Sequence, residues 1–131
     1  MENCTVADLK IMVEDKVFDK TIKPYRFIYG TISIDVSDWT ELSKQFVRWL
    51  IDKNNLKQEN LPIHNHAKRG KYFINFKPVH QYAEKNGCWH EINNYHIDTK
   101  YNAEHHVKNM LSALNQLGIY NPDIKFSFHH C

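Results

Sequence analysis

The sequence predicts a single-domain α+β sandwich, in which helices pack against an antiparallel sheet. Three observations predict it. Residues 25–36 alternate β-branched and aromatic side chains with a period of two, whereas residues 38–53 and 102–118 repeat apolar side chains at helical spacing. A length of 131 residues is enough for one domain with a substantial core. We therefore expect one domain over residues 1–131.

The N-terminal part begins with a short helix and continues into a strand. Thr5 and Asp8 are spaced as a capping box ahead of apolar residues at helical spacing, so residues 1–20 are predicted to form a helical extension. The strand at residues 25–36 follows, with one face predicted to contact the helices and the other to carry aromatic side chains. The first face comprises Ile28, Ile32, Ile34 and Val36, and the second comprises Tyr25, Phe27 and Tyr29.

The rest of the chain continues to alternate helices and strands. A helix capped at Ser37 or Asp38 and ending near Lys53 is followed by a loop at 54–69 and a strand at 71–76. A hairpin is predicted at 88–99, with its turn at Asn93–Asn94. The chain then continues with a helix from Asn102 to Gly118, a strand at 123–128 and a frayed tail at 129–131. After the N-terminal helix, this order is typical of a ferredoxin-like βαββαβ sandwich with two helices on one face of the sheet.

The composition indicates an ordinary globular domain. Hydrophobic residues make up 42% and charged residues 24%, and the formal charge of +2 is too small to indicate nucleic-acid binding by itself. No apolar stretch approaches the roughly 20 residues of a membrane span, and the N-terminus lacks a secretory signal, so we expect a cytoplasmic protein without membrane contact. Because Cys4, Cys88 and Cys131 form no CxxC pair, we expect three reduced thiols and no cofactor.

Two groups of residues predict a nucleic-acid-binding surface. Aromatic side chains exposed on a sheet stack unpaired bases, and cationic side chains at the start of a strand contact phosphates. We therefore predict a small non-enzymatic domain that binds nucleic acid, unless the N-terminal helix or a partner covers the aromatic face. The predicted stacking residues are Tyr25, Phe27 and Tyr29, and the predicted phosphate contacts are Lys68, Arg69 and Lys71.

Two further functions remain open from the sequence. The first is a protein-binding module, either an inhibitor or immunity-type protein or a homodimer that buries the aromatic face. The second is a metal-dependent hydrolase, because a histidine opposite a glutamate with a nearby aspartate can act as an oriented general base, although such residues also form simple cross-strand ion pairs. The candidate catalytic residues are His96, Glu91 and Asp98, and the candidate metal ligands are His64, His66 and His80.

Overall fold

The computed structural model describes residues 3–53 and 56–129, which form three α-helices and two antiparallel sheets. The helices are α1 (Val6–Glu14), α2 (Trp39–Asp52) and α3 (Ala103–Gln116). The strands are β1 (Cys4–Thr5), β2 (Lys23–Tyr29), β3 (Ile32–Asp35), β4 (Ile63–His64), β5 (Tyr72–Asn75), β6 (Trp89–Ile92), β7 (Tyr95–Asp98) and β8 (Ile124–His129). The predicted α+β class is confirmed.

The ferredoxin-like order is not confirmed, because the described strands are divided between two sheets. The first sheet has the order β1-β8-β2-β3, and the second has the order β4-β5-β7-β6. The hairpin of β6 and β7 pairs with β5 in the second sheet, whereas β8 pairs with both β1 and β2 in the first. The N-terminal segment therefore contributes a strand to the first sheet as well as α1.

The starts of the three helices agree with the capping residues predicted from the sequence. Side-chain oxygens of Thr5, Asp38 and Asn102 each accept a backbone N–H from the first turn of the helix that follows. Such caps satisfy N–H groups that have no partner within the helix, and each stabilises the fold by about 1 kcal/mol. No helix within the described ranges is long and apolar enough to cross a membrane.

The predicted strand at residues 25–36 is a hairpin, and this difference changes which residues face the core. Gly30 has a φ of +57° and turns the chain between β2 and β3, so that Tyr29 pairs with Ile32 and Phe27 with Ile34. Residues paired across a sheet share a face, whereas neighbours along a strand alternate. The aromatic face of β2 is therefore the face that continues into β3, and Ile28 points the other way.

Phe27 is part of the core, so the prediction that it is exposed is wrong. Its side chain is 0% exposed, and its ring centroid lies 5.4 Å from that of Phe126 on β8. Helix α2 packs against β2, where it buries Phe46 and Leu50. The core is continuous with the interior of the second sheet, where Phe73 and other apolar side chains are fully buried.

Two predictions for the chain termini need correction. His129 belongs to β8 and pairs with Lys23, so it is not frayed, and residues 130–131 lie outside the described part of the chain. Cys4 is disulfide-bonded, which contradicts the expectation of a reduced thiol. Cys88 is a free and exposed thiol as expected, and Cys131 lies outside the described residues.

Candidate functional site

The candidate site lies at one end of the second sheet, where two loops meet. We call residues 65–71 the basic turn, because three of them are lysine or arginine, and residues 80–84 the Tyr82 segment. The basic turn connects β4 to β5, and the Tyr82 segment lies in the connection from β5 to β6. The Gln81 N–H donates to the Gly70 carbonyl at 2.9 Å. This hydrogen bond joins the two loops into one surface.

A buried asparagine holds the basic turn in place. Asn65 is 5% exposed, and its Oδ1 accepts the backbone N–H groups of Ala67 and Lys68, both at 3.0 Å. Lys68 and Arg69 are exposed, and neither has a carboxylate partner among the described residues. The turn therefore presents two unpaired cationic side chains on an ordered backbone.

The third cation of the turn is already paired. The Lys71 ammonium contacts the carboxylate of Glu84, and this hydrogen bond lowers the pKa of Glu84 below its ordinary value. The contact is a second link between the basic turn and the Tyr82 segment. Of the three predicted phosphate contacts, Lys68 and Arg69 are thus more available to an anionic ligand than Lys71.

The Tyr82 segment exposes an aromatic ring on a constrained backbone. Tyr82 is 92% exposed, and both Tyr82 and Ala83 have positive φ angles, of 61° and 60°. For residues other than glycine such angles cost about 1–3 kcal/mol, and residues strained in this way cluster at active sites and ligand-binding segments. Gly70, at the junction of the two loops, has a φ of +75°, a backbone conformation that favours glycine.

A buried histidine–aspartate pair lies beneath the two loops. His80 is 3% exposed and Asp98 is 4% exposed, and His80 Nε2 lies 3.3 Å from Asp98 Oδ2. His80 Nδ1 accepts the backbone N–H of Tyr72 at 2.8 Å. Asp98 Oδ1 accepts the N–H groups of Cys88 at 2.9 Å and Lys100 at 3.1 Å. Because both imidazole nitrogens already face protein groups, His80 has no nitrogen available to act on a substrate.

Tyr101 borders a cleft beside this pair. Its hydroxyl oxygen accepts a hydrogen bond of 3.2 Å from Asn65 Nδ2. Burial raises the pKa of Tyr101 above its ordinary value, and the Asp98 carboxylate adds to the effect, so the phenol stays protonated at physiological pH. The cleft has a volume of about 190 Å³, and its walls include Asn65, Lys71, Gly87, Asp98, Lys100 and Tyr101.

A second buried histidine, His106, lies on α3 where that helix packs against α2. It is 1% exposed, its Nδ1 lies 2.8 Å from Ser43 Oγ, and its ring stacks on Trp39 with centroids 6.1 Å apart. Burial lowers the pKa of His106 to about 4. His106 is therefore neutral at physiological pH, and the completely buried Ser43 cannot reach a substrate.

The structure does not bring the predicted stacking residues together as an exposed platform. Phe27 is buried, while Tyr25 and Tyr29 are half-buried. The Tyr25 ring packs against His129 at 4.7 Å, and Lys53 lies over the Tyr29 ring. The three residues also belong to the first sheet, whereas the basic turn borders the second. Because Phe27 is already buried within the chain, its side chain is available neither to a base nor to a second copy of the chain.

The hairpin register is as predicted, but the proposed catalytic group does not form. Asn93 and Asn94 both have positive φ at the turn, and Glu91 pairs with His96 across the hairpin. The Asp98 carboxylate, however, contacts His80 and two backbone N–H groups, so it does not orient His96. Among the described residues, no hydrogen bond or ion pair joins Glu91 to His96.

The predicted metal ligands have separate environments. His64 packs edge-on against Tyr72, and His66 stacks on His105 with ring centroids 4.3 Å apart. His80 is engaged with Asp98. Within residues 3–53 and 56–129 there is no group of three histidine, cysteine, aspartate or glutamate residues placed to hold a metal ion. The metal-dependent hydrolase hypothesis is therefore left without a metal site in this part of the chain.

Sequence reasoning missed three residues of the site, namely Tyr82, Lys100 and Tyr101. They lie in irregular segments, where no period of two or 3.6 indicates which side chains are buried. The available signal was local, since residues 77–87 contain Pro78 and Gly87 and could be recognised as a long connection.

No protein-family model matches the chain, and neither a curated protein nor a solved structure shows significant similarity to it.

Proposed function

We propose that the chain is a small non-enzymatic domain that binds single-stranded nucleic acid through the basic turn and the Tyr82 segment. The observation that carries the proposal is the 92% exposure of Tyr82, on a strained backbone that is hydrogen-bonded to a cationic loop. An exposed ring offers a stacking face for any base, and adjacent cations attract the phosphates. This surface replaces the face of Tyr25, Phe27 and Tyr29 that the sequence predicted.

The distribution of charge supports the proposal. Residues 65–71, 80–88 and 98–101 together contain five lysines and arginines but only Glu84 and Asp98 as acids. These segments carry a formal charge of +3, which exceeds the +2 of the whole chain, so the remainder is slightly acidic. Asp98 is buried, and its charge is compensated by hydrogen-bond donors. Positive charge concentrated on one face favours approach by a polyanion even when the net charge is small.

The environment of His80 supports a binding role over an enzymatic one. Its nitrogens are engaged by Asp98 and the Tyr72 N–H, so His80 positions the loops and is not itself available as a general base. Single-strand binding requires stacking and charge, and it requires no proton transfer. The site therefore needs only the groups that this end of the second sheet presents.

Fluorescence anisotropy with labelled 12-nucleotide RNA and DNA at 50, 100 and 200 mM NaCl tests the proposal. Stacking contributes about 1–3 kcal/mol per base, so we expect Tyr82→Ala to weaken binding by about 5-fold to 150-fold. We expect the double substitution Lys68→Ala, Arg69→Ala to reduce the dependence of log Kd on log salt by about 1.4, since each phosphate contact on a single strand contributes about 0.7.

Matched controls come from residues outside the basic turn and the Tyr82 segment. Tyr120 is 76% exposed but belongs to the groove beside α1 and α3, and Lys10 is an exposed cation on α1. Tyr120→Ala and Lys10→Ala should leave affinity unchanged within about twofold. Absence of binding at 50 mM NaCl, or equal losses from Tyr82→Ala and Tyr120→Ala, would overturn the proposal.

A further inference from the structure

His66 and His105 form a stacked pair where the basic turn meets α3. Their ring centroids lie 4.3 Å apart, with an angle of 28° between the ring planes. His66 belongs to the basic turn, and its backbone N–H donates at 2.9 Å to Oδ1 of Asn109, a fully buried residue of α3. His105 lies in the first turn of α3. The backbone of the turn and that of the helix therefore hold the two rings side by side.

The nitrogens of both rings are open to a ligand. Both side chains are half-buried, and neither ring takes part in a hydrogen bond among the described residues. None of their nitrogens is a buried atom without a partner, so solvent reaches them. His80 differs, because Asp98 and a backbone N–H occupy both of its nitrogens. An imidazole that is open in this way can donate an N–H to a ligand whether it is neutral or protonated.

The geometry of the pair suits an anion better than a metal ion. Ring nitrogens coordinate a metal through lone pairs in the plane of each ring, and two nearly parallel planes do not converge on one ion. Each ring can instead donate an N–H to a different oxygen of one phosphate. No third histidine, cysteine, aspartate or glutamate in the described part of the chain completes a metal site with them.

The groups around His66 favour a neutral ring when no anion is bound. Partial burial lowers the pKa of His66 below its ordinary value, and His105 and Lys108 add to this effect, whereas Glu104 opposes it. Glu104 and Lys108 form an ion pair at 3.3 Å, so their charges largely cancel. The Tyr101 ring lies edge-on to His66 with centroids 6.4 Å apart, and it adds no charge. A phosphate beside the pair would supply the negative charge that favours a protonated ring.

We propose that the stacked rings of His66 and His105 bind one phosphate of the strand, next to the phosphates contacted by Lys68 and Arg69. This proposal rests on the proposed function, because it extends the same surface by one phosphate contact onto α3. Since a bound phosphate favours protonated rings, strand binding is coupled to the uptake of a proton. Uptake of one proton strengthens binding by at most tenfold per pH unit, so we expect binding to strengthen about 10-fold between pH 7.5 and 6.0.

Isothermal titration calorimetry at these two pH values, with a strand of twelve thymidines that lacks a terminal phosphate, tests the proposal. Such a strand has no group that titrates in this range. We expect the double substitution His66→Gln, His105→Gln to reduce the gain in affinity to about threefold or less. His105→Gln alone, which places glutamine at a favourable position in the first turn of α3, should give an intermediate gain.

The matched control is His129→Gln, which should retain the full gain in affinity. His129 is an exposed histidine of the first sheet, and its ring also packs against another ring, that of Tyr25. Titrations at pH 6.5 in Bis-Tris and PIPES, two buffers of different ionisation enthalpy, measure the proton uptake itself. We expect about 0.5–1 proton for the wild-type protein and for His129→Gln, and close to none for the double variant. Circular dichroism at each pH establishes that the variants are folded.

The outcomes separate the histidine pair from the rest of the surface. If the strand binds with equal affinity at both pH values and without proton uptake, the phosphate contact at His66 and His105 fails and the proposed function stands. If the strand binds at neither pH, both fail. Equal losses from the double variant and from His129→Gln would also contradict the contact, because the pH dependence would then come from the general charge of the chain.

Discussion

We expect His106 to lower the stability of the fold in mild acid, and the effect can be calculated from its environment. Burial lowers its pKa to about 4 in the folded protein, whereas the ordinary value of 6.5 applies to the unfolded chain. Between these pH values the unfolded chain binds a proton that the folded protein does not bind. The free energy of unfolding is therefore highest above pH 6.5, and it decreases progressively as the pH falls towards 4.

The magnitude follows from the two pKa values. At pH 5 the unfolded imidazole is almost fully protonated and the folded one is mostly neutral, which lowers the free energy of unfolding by about 2 kcal/mol relative to pH 7.5. Below pH 4 the loss levels off at about 3 kcal/mol. A loss of this size is a large part of the 5–15 kcal/mol that stabilises a typical domain.

Urea denaturation monitored by tryptophan fluorescence at pH 7.5, 6.5, 5.5 and 5.0 measures this effect. The indole of Trp39 stacks on His106 and reports on the site. Other acidic and histidine groups also titrate in this range, so the comparison is with His106→Gln, which retains a polar side chain near Ser43. We expect the wild-type protein to lose about 2 kcal/mol more than the variant between pH 7.5 and 5.0. Equal losses, or an NMR titration of His106 with a midpoint near 6.5, would refute the reasoning.

Two further predictions concern stability. Gly87→Ala places a Cβ 2.8 Å from the Asp98 carboxylate at a φ of +144°, so it should lower the free energy of unfolding by about 2 kcal/mol or more. Gly30→Ala, with a φ of +57° and no atom within 4 Å of the added Cβ, should lower it by only about 1 kcal/mol. Equal urea midpoints for the two variants would contradict this prediction. Asp38→Ala removes the N-terminal cap of α2 and should lower the free energy of unfolding by about 1 kcal/mol. Asp52→Ala, at the C-terminal end of α2, should leave stability unchanged or raise it slightly. A lower melting temperature for Asp52→Ala than for Asp38→Ala would be inconsistent with the capping geometry.

The features predicted correctly from the sequence depend on short-range chemistry. The capping residues Thr5, Asp38 and Asn102 act on backbone groups a few positions away. Asn93 and Asn94 form the predicted hairpin turn because asparagine tolerates positive φ, and this turn fixes the register that places Glu91 opposite His96. Each of these features depends only on residues close together in the chain.

The orientation of the first sheet was predicted incorrectly because one glycine was interpreted as part of a strand. If residues 25–36 were continuous, Ile28 and Ile32 would share a face. The turn at Gly30 places Ile32 opposite Tyr29, so Ile32 shares a face with Phe27 and Tyr29. Ile32 is nevertheless 46% exposed at the edge of the sheet, whereas Phe27 at its centre is buried. Period-two patterns alone do not distinguish these arrangements.

The candidate site was not predicted for a different reason. The buried side chains that hold its loops come from separate segments of the chain. His80 and Asp98 are 18 positions apart and meet only because β7 pairs with β5. A sequence pattern identifies Asp98 as a hairpin residue, but it does not indicate that its carboxylate points beneath the loop that carries His80. Tyr82 is exposed because of this tertiary arrangement, and its local sequence contains no regular period from which exposure could be inferred.

Hydrogen bonds to buried side chains explain how the irregular surface of the candidate site can be ordered enough to bind a ligand. Three buried side chains each accept hydrogen bonds from backbone N–H groups of the loops or of the strand beside them. Asn65 holds the basic turn and His80 holds the start of β5. Asp98 holds the two backbone segments beside the cleft, at Cys88 and Lys100. Buried acceptors are costly unless they are hydrogen-bonded, so these side chains and the loop backbone fix one another. The strained angles at Tyr82 can persist because its segment is bonded to the basic turn. A ligand that binds this preorganised surface has little loop entropy to overcome.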